Sequence, residues 1–230
     1  MAKFNLSRTY FQRKGQPHIL PQGAIFSVTF RLHDAIPAQK IQRVRERRAT
    51  VLREIELDNR PNKQSRKELI EQKYYQYLDN LMQQKGDQEH LLRNATVANM
   101  VIARLEEYAE HYYHLLAYCI MSNHVHLLLD FSLQCPAEWN GVAPIQGYTN
   151  LPEVIRKIKG GSAFDINKAL RRKGKVWAKG NYNRLIRNLT HLESEFWYIL
   201  HNSQKAGIVD CWRNHPFTYG DFEGVGLEAA

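Results

Sequence analysis

Polar and apolar residues alternate along Ala24-Ile25-Phe26-Ser27-Val28-Thr29-Phe30-Arg31, a run rich in β-branched and aromatic side chains. That period of two predicts a strand. From Pro37 to about Gln84 the pattern turns helical. Its apolar positions are Val51, Leu52, Ile55, Leu69, Ile70, Tyr74, Leu78 and Leu81. Residues 58–62, closing on Pro61-Asn62, divide this stretch into two helices, and Lys85 to Asp87 reads as a turn. Val97, Met100, Val101, Ala103, Leu105 and Tyr108 form the apolar stripe of a helix from Thr96 to Ala109. Two strands follow, Tyr112 to Ile120 and His124 to Asp130, joined by Met121-Ser122-Asn123. Ser132 to Asn150 carries Pro136, Gly141, Pro144 and Gly147 and reads as a long loop.

Pro152 opens the next helix in the favoured first turn, and Gly160-Gly161 suggests a bend within it. Thr190-His191-Leu192-Glu193 fits a capping box at the head of the last helix, and Gly207 suits its C-terminal cap. The first 22 residues are polar and read as an arm. The order is strand, helices, strand, strand, helix, short strand, helix. With short antiparallel connections, it predicts an α+β fold with helices on one face of the sheet. The chain reads as one unit over 1–230, with 42–89 as a helical insertion.

Of 230 residues, 43% are hydrophobic, which supports a packed core and excludes wholesale disorder. No apolar run approaches the roughly 18 residues of a membrane span, so no membrane partner is expected. The segment Met1 to Tyr10 lacks the apolar stretch of a secretory signal. Cys119, Cys135 and Cys211 lie far apart, which argues against a disulfide framework and a thiolate zinc site and suits the cytoplasm. The net charge is +9, and Leu151 to Lys205 holds nearly all of it, with twelve basic residues against four acidic ones. Such a segment points to a polyanion, with a solvated basic face as the plain alternative. Candidate phosphate contacts are Arg156, Lys157, Lys159, Arg171, Arg172, Lys173, Lys175, Arg184, Arg187 and Lys205. Trp177, Tyr182 and Trp197 are interleaved with them, either to stack unpaired bases or to fill the core.

His124-Val125-His126 opens an apolar strand, so both imidazoles face one side and are able to share a divalent cation. The plain reading is two strand histidines that hydrogen-bond to neighbours. On the last helix, Tyr198 and Asn202 are four residues apart and share a face. Asn202 offers a third ligand oxygen, and His201 is a rival ligand. A phenol, with a pKa near 10, becomes a useful nucleophile when held in line with a polarised phosphodiester; packing is the alternative role. Two imidazoles and an amide oxygen suit Mg²⁺ or Mn²⁺.

Tyr118 to Leu129 (YCIMSNHVHLLL) resembles the histidine–hydrophobic–histidine segment of single-tyrosine HUH transposases. It is closer still to the REP-associated tyrosine transposases, whose usual form is MPNHVHLL. Four more stretches are similar in the same order: Ile25 to Pro37, Ile158 to Asn167, Trp177 to Arg187 (WAKGNYNRLIR) and Tyr198 to Gly207 (YILHNSQKAG). The resemblance implies a ferredoxin-like HUH endonuclease core. It implies cleavage and rejoining of single-stranded DNA beside a hairpin, through a 5′-phosphotyrosine and a free 3′-OH. By position it makes Tyr198 the nucleophile, His124 and His126 the metal pair, and Asn202 the helix ligand. Ser122 stands where the family has Pro, Ser203-Gln204 where it has Pro-Val, and Asn183 where it has an Asp. The last departure bears on a carboxylate contact to Arg184. The runner-up reading is a catalytically silent single-stranded DNA or RNA binding protein of the same fold. Monomer and homodimer remain equally open.

Overall fold

The computed structural model describes residues 10–13, 16–83 and 90–228. The expectations for residues 1–9 and for the turn at Lys85 to Asp87 lie outside them. Within the arm, β1 (Tyr10–Arg13) and β2 (Gln16–Ile19) pair as an antiparallel ribbon. The polar arm thus satisfies backbone groups on itself, which the side-chain pattern did not announce.

The main sheet has five antiparallel strands in the order β6-β3-β5-β4-β7. They are β3 (Ile25–Arg31), β4 (His114–Ile120), β5 (His124–Asp130), β6 (Tyr182–Leu185) and β7 (Thr218–Gly220). Between β3 and β4 run α1 (Ala38–Leu57), α2 (Lys63–Gln83) and α3 (Ala95–Ala109); α4 (Leu151–Ala169) joins β5 to β6. Then come α5 (Leu189–Leu200), α6 (Asn202–Lys205) and α7 (Phe222–Val225). Strands β3, β4, β5 and β6 with the crossover helices α3 and α4 make the ferredoxin-like arrangement, and the expected α+β class with an antiparallel sheet is what the chain adopts.

The alternation in β3 and β5 sorts side chains between two cores. Phe26, Val28, Phe30, Val125, Leu127 and Leu129 pack with Val97, Val101 and Leu105 of α3 and with Val154, Ile155 and Ile158 of α4. Ile25 and Leu128 pack with Leu192, Phe196, Ile199 and Leu200 of α5. So the crossover helices do share one face, but α5 covers the other, which corrects the expectation that all helices lie together. The physical reason is that the second side carries apolar residues of its own, Ile25 of β3, Leu128 of β5 and Leu116, Ala117 and Cys119 of β4, and these need cover.

Helix ends differ in detail. The N-cap of α5 lies two residues before the expected one: Asn188 Oδ1 accepts from the His191 amide at 2.8 Å, so Asn188 rather than Thr190 is the N-cap. Gly160-Gly161 makes no break, because α4 runs continuously through both. Gly161 instead admits Arg104 of α3; a Cβ there would lie 3.1 Å from its Nε. Arg104 spans to Asp165 of α4 with contacts of 2.7 and 3.0 Å. The break between α1 and α2 falls at 58–62 as expected, with Asn62 at a φ of 63°.

Helix α2 is fastened across the α5 side along one stripe. Glu68 pairs with Arg187 at 3.1 Å, Tyr75 stacks on Tyr182 with ring centres 3.8 Å apart, and Gln83 Nε2 donates to Asn202 Oδ1 at 3.2 Å. Asp79 lies between these anchors. Their spacing of seven, four and four residues is that of one helix face.

Candidate active site and metal centre

Pairing sets His124 opposite Arg31 and His126 opposite Thr29. Both imidazoles are buried, on the side of the sheet that faces α5. Asn123 Nδ2 donates to the Met82 carbonyl at 3.0 Å, which orients its amide. Asn123 Oδ1 therefore accepts from His124 Nδ1, at 2.7 Å. The proton of a neutral His124 ring sits on Nδ1, and its Nε2 keeps a lone pair. His126 Nδ1 is likewise engaged, by Thr29 Oγ1 at 2.9 Å. Such partners on the far nitrogen are what orient metal-binding imidazoles.

The Nε2 atoms point at Asp79. Its Oδ1 is 3.4 Å from His124 Nε2 and 3.3 Å from His126 Nε2. None of these three buried atoms has an aligned hydrogen bond among the described residues. Asp79, His124 and His126 are also the one group of three potential ligands there whose donor atoms lie within 4.8 Å of one another. A lone pair and a carboxylate oxygen facing each other repel unless something positive lies between. Two imidazole nitrogens and a carboxylate oxygen are a donor set for a divalent cation, so the residues fit such an ion.

The other carboxylate oxygen, Asp79 Oδ2, accepts from the Tyr198 hydroxyl at 2.8 Å. Burial and then the Asp79 charge push that phenol well above its ordinary value. For Asp79 itself burial opposes ionisation, but positive charge on its His126 and His124 side outweighs it and holds the carboxyl down. Burial pushes His124 below the usual imidazole range, which keeps the ring neutral. Asn202 follows the end of α5, is 1% exposed, and its Oδ1 accepts from Gln83 Nε2. Its Nδ2 has no partner among the described residues. His201, the rival ligand, turns its Nδ1 to the Trp197 carbonyl at 2.9 Å and packs beside Trp197 and Trp212.

Asp79 escaped the sequence reading. The available signal was an acid in an apolar stripe: Tyr75, Asp79 and Met82 follow the spacing of a buried helix face.

The basic candidates scatter. Lys205 Nζ lies 4.8 Å over the Tyr198 ring. Arg184 is paired with Glu195 at 2.9 Å, and Glu195 also accepts from Ser27 Oγ at 2.8 Å. The carboxylate partner of Arg184 is thus on α5, so Asn183 is not needed for that role. Arg187 is held by Glu68. Lys159 donates to the Ala178 and Gly180 carbonyls at 2.8 and 2.7 Å. Lys157 lies 5.6 Å over the Tyr112 ring, on the α4 side of the sheet, where Arg156 is exposed. Arg171, Lys173 and Lys175 are exposed beyond the end of α4, with Arg172 half-buried among them. Of the aromatics, Trp177 is core, donating to Ser162 Oγ at 3.0 Å, and Trp197 packs among Phe196, Trp212 and Phe222. Tyr182 alone faces a cavity.

Fold and site together define a ferredoxin-like protein with a buried histidine pair and a tyrosine joined through one carboxylate. No protein-family description matches the sequence, and no curated protein matches it. Among solved structures, the chain is similar to a REP-associated tyrosine transposase bound to a REP hairpin, with a TM-score of 0.50 and 14% identity over 90% of this chain and 82% of that one. It is also similar, at a TM-score of 0.36 and 13% identity over 81% of this chain and 95% of that one, to a candidate transposase of Deinococcus radiodurans R1. The first likeness establishes the shared fold. No helix among the described residues is long and apolar enough to cross a membrane.

Proposed function

We propose that this protein is a metal-dependent tyrosine transposase or endonuclease that cleaves and rejoins single-stranded, hairpin-associated DNA. The observation that carries this reading is the lone pair of His124 Nε2 facing Asp79 Oδ1 across 3.4 Å, on the carboxylate that also takes the Tyr198 hydroxyl. The cation site and the nucleophile thus meet at one group. The structural neighbour with a bound REP hairpin supports DNA as the substrate class.

His124, His126, Asp79 and Asn202 would hold the ion, Mn²⁺ or Mg²⁺, with Mn²⁺ the better match to nitrogen. When bound, it supplies polarisation of the phosphodiester and offsets the charge that develops there. Tyr198 Oη attacks phosphorus, forming a tyrosine–phosphate bond as the bond to the 3′-oxygen breaks. Asp79 Oδ2 holds the phenol in position; its proton is released to water as the tyrosine–phosphate bond forms, and the departing 3′-oxygen takes up a proton from water to end as a free hydroxyl. The covalent intermediate conserves the bond energy, so attack by a 3′-OH rejoins the strand and restores the phenol. Lys205, above the Tyr198 ring, is placed to meet a phosphate. Arg156, Lys157, Lys159, Arg171, Arg172, Lys173, Lys175, Arg184 and Arg187 are the remaining proposed DNA contacts. The proposed setting is the cytoplasm, on nucleoid DNA.

The test is denaturing gel electrophoresis of end-labelled hairpin DNA from the flanks of the protein's own gene, with Mn²⁺ or with chelator. Wild type is expected to form a metal-dependent covalent adduct, and Tyr198→Phe to bind without forming one. An adduct with Tyr198→Phe overturns the assignment. Salt-dependent binding with no cleaved product under any metal condition supports the silent DNA- or RNA-binding alternative.

A further inference from the structure

Beside Tyr198, His126 and Asp79 opens a cavity of about 660 Å³ between α1, α2 and strands β3 and β6. That is well within the roughly 300–1,000 Å³ of small-ligand clefts. One wall is aromatic. Tyr75 stacks on Tyr182 at 3.8 Å with 20° between the rings, and Tyr74 meets Tyr75 edge-on at 4.8 Å. Another wall is cationic. Arg31, half-buried, spends one nitrogen on the Leu32 and His33 carbonyls and has no carboxylate within salt-bridge distance among the described residues. Arg45 projects from α1 into the same space. Lys159 stands behind the lining segment 178–180, fixed to two of its carbonyls. Burial and the neighbouring Arg31 push Lys159 down to about 8, and burial with Arg45 lowers Arg31. Asp34 offsets Arg31 only in part, and the two carboxylates that line the cavity, Glu195 and Asp79, are engaged by Arg184 and Tyr198, so these cations crowd one another in a way that an incoming anion relieves.

We propose that this cavity takes up one unpaired nucleotide of single-stranded DNA, its base against the Tyr74–Tyr75–Tyr182 wall and its phosphate at Arg31 and Arg45. On the reading above, on which this rests, that strand is the one Tyr198 cuts. Base stacking on tyrosines is tolerant of sequence, and guanidinium groups track the backbone. The α1–α2 hairpin thereby supplies the pocket that holds the strand extended beside the nucleophile.

The test uses an eight-nucleotide single strand of thymidine with 5-iodo-deoxyuridine at one position at a time, bound to full-length Tyr198→Phe protein and irradiated. Crosslinks mapped by mass spectrometry are expected on Tyr74, Tyr75 or Tyr182. Adding Tyr75→Ala should abolish them and weaken binding about tenfold. Arg45→Gln, on an exposed position, should keep the fold and reduce the salt dependence of binding by about one counterion. Crosslinks confined to the exposed 171–175 run, or unchanged affinity and salt dependence in both variants, overturn the pocket. A metal-dependent adduct in wild type together with crosslinks elsewhere removes the pocket and leaves the strand-cutting reading. Crosslinks in the pocket with no adduct support the pocket and remove the cutting.

Discussion

The contact between Arg184 and Glu195 sets the seat of the nucleophile helix. Glu195 is 7% exposed, three residues before Tyr198, and its two oxygens take Ser27 Oγ at 2.8 Å and Arg184 Nη1 at 2.9 Å. Arg184→Met keeps the aliphatic bulk but leaves Glu195 Oε2 without its cation. Stranding one member of a fully buried pair costs about 3–5 kcal/mol. The Arg184 side chain is 35% exposed, so water partly replaces it. A loss of about 2 kcal/mol is therefore expected. Glu195→Gln keeps the Ser27 contact and loses the ionic one, for about 1–2 kcal/mol. The two changes together should cost less than their sum, with a coupling of about 1.5 kcal/mol, in the range of hydrogen bonds to charged groups. Urea unfolding of all four members of the cycle measures it, provided the m-values agree. Covalent capture of DNA by Arg184→Met should fall about tenfold or more as Tyr198 loses its alignment, while Mn²⁺ affinity stays unchanged. A coupling under about 0.5 kcal/mol, as exposed pairs give, would refute the claim that this pair anchors α5.

Three further outcomes follow from the same geometry. Asp79→Asn should weaken Mn²⁺ binding at least about tenfold by calorimetry, and an unchanged affinity would remove Asp79 from the ligand set. Gly220→Val should cost about 1–3 kcal/mol in chemical unfolding, because a Cβ there lies 2.8 Å from Phe196 Cζ and 3.0 Å from Leu200 Cδ2; a neutral effect would mean that α5 yields freely. Lys159 has a folded value of about 8, below its unfolded one, so the unfolded chain binds the extra proton above that pH and the folded state gains stability as pH rises from about 8 towards 10. Thermal melts should show this gain in wild type and not in Lys159→Met; parallel pH profiles would contradict it.

The sequence disclosed what is local. The two-residue spacing of His124 and His126 placed both rings on one side because a strand leaves them no other option. Tyr198 and Asn202 were legible as neighbours for the same kind of reason, although α5 ends between them. Asp79 was not, because its link to Tyr198 spans 119 residues and depends on how α2 lies across the sheet. The expected bend at Gly160-Gly161 failed because a glycine pair reads alike whether it breaks a helix or admits a neighbour; only Arg104 on another helix decides. The cap moved from Thr190 to Asn188 because both types serve equally well, and packing of α5 selects the turn. Asn183 read as a missing acid because its replacement, Glu195, lies on another element.

Strand β3 reaches three parts of this centre from one side. Ser27 holds Glu195, Thr29 holds His126, and Arg31 opens into the cavity. These positions are two residues apart, roughly 6.6–6.8 Å per step, so the strand works as a ruler whose marks fix nucleophile, ligand and anion pocket on one scale. A single inserted or deleted residue in β3 would shift all three marks to the opposite face at once. Inheritance can therefore vary this strand only by substitution, and variation across descendants should show no indels between Ser27 and Arg31.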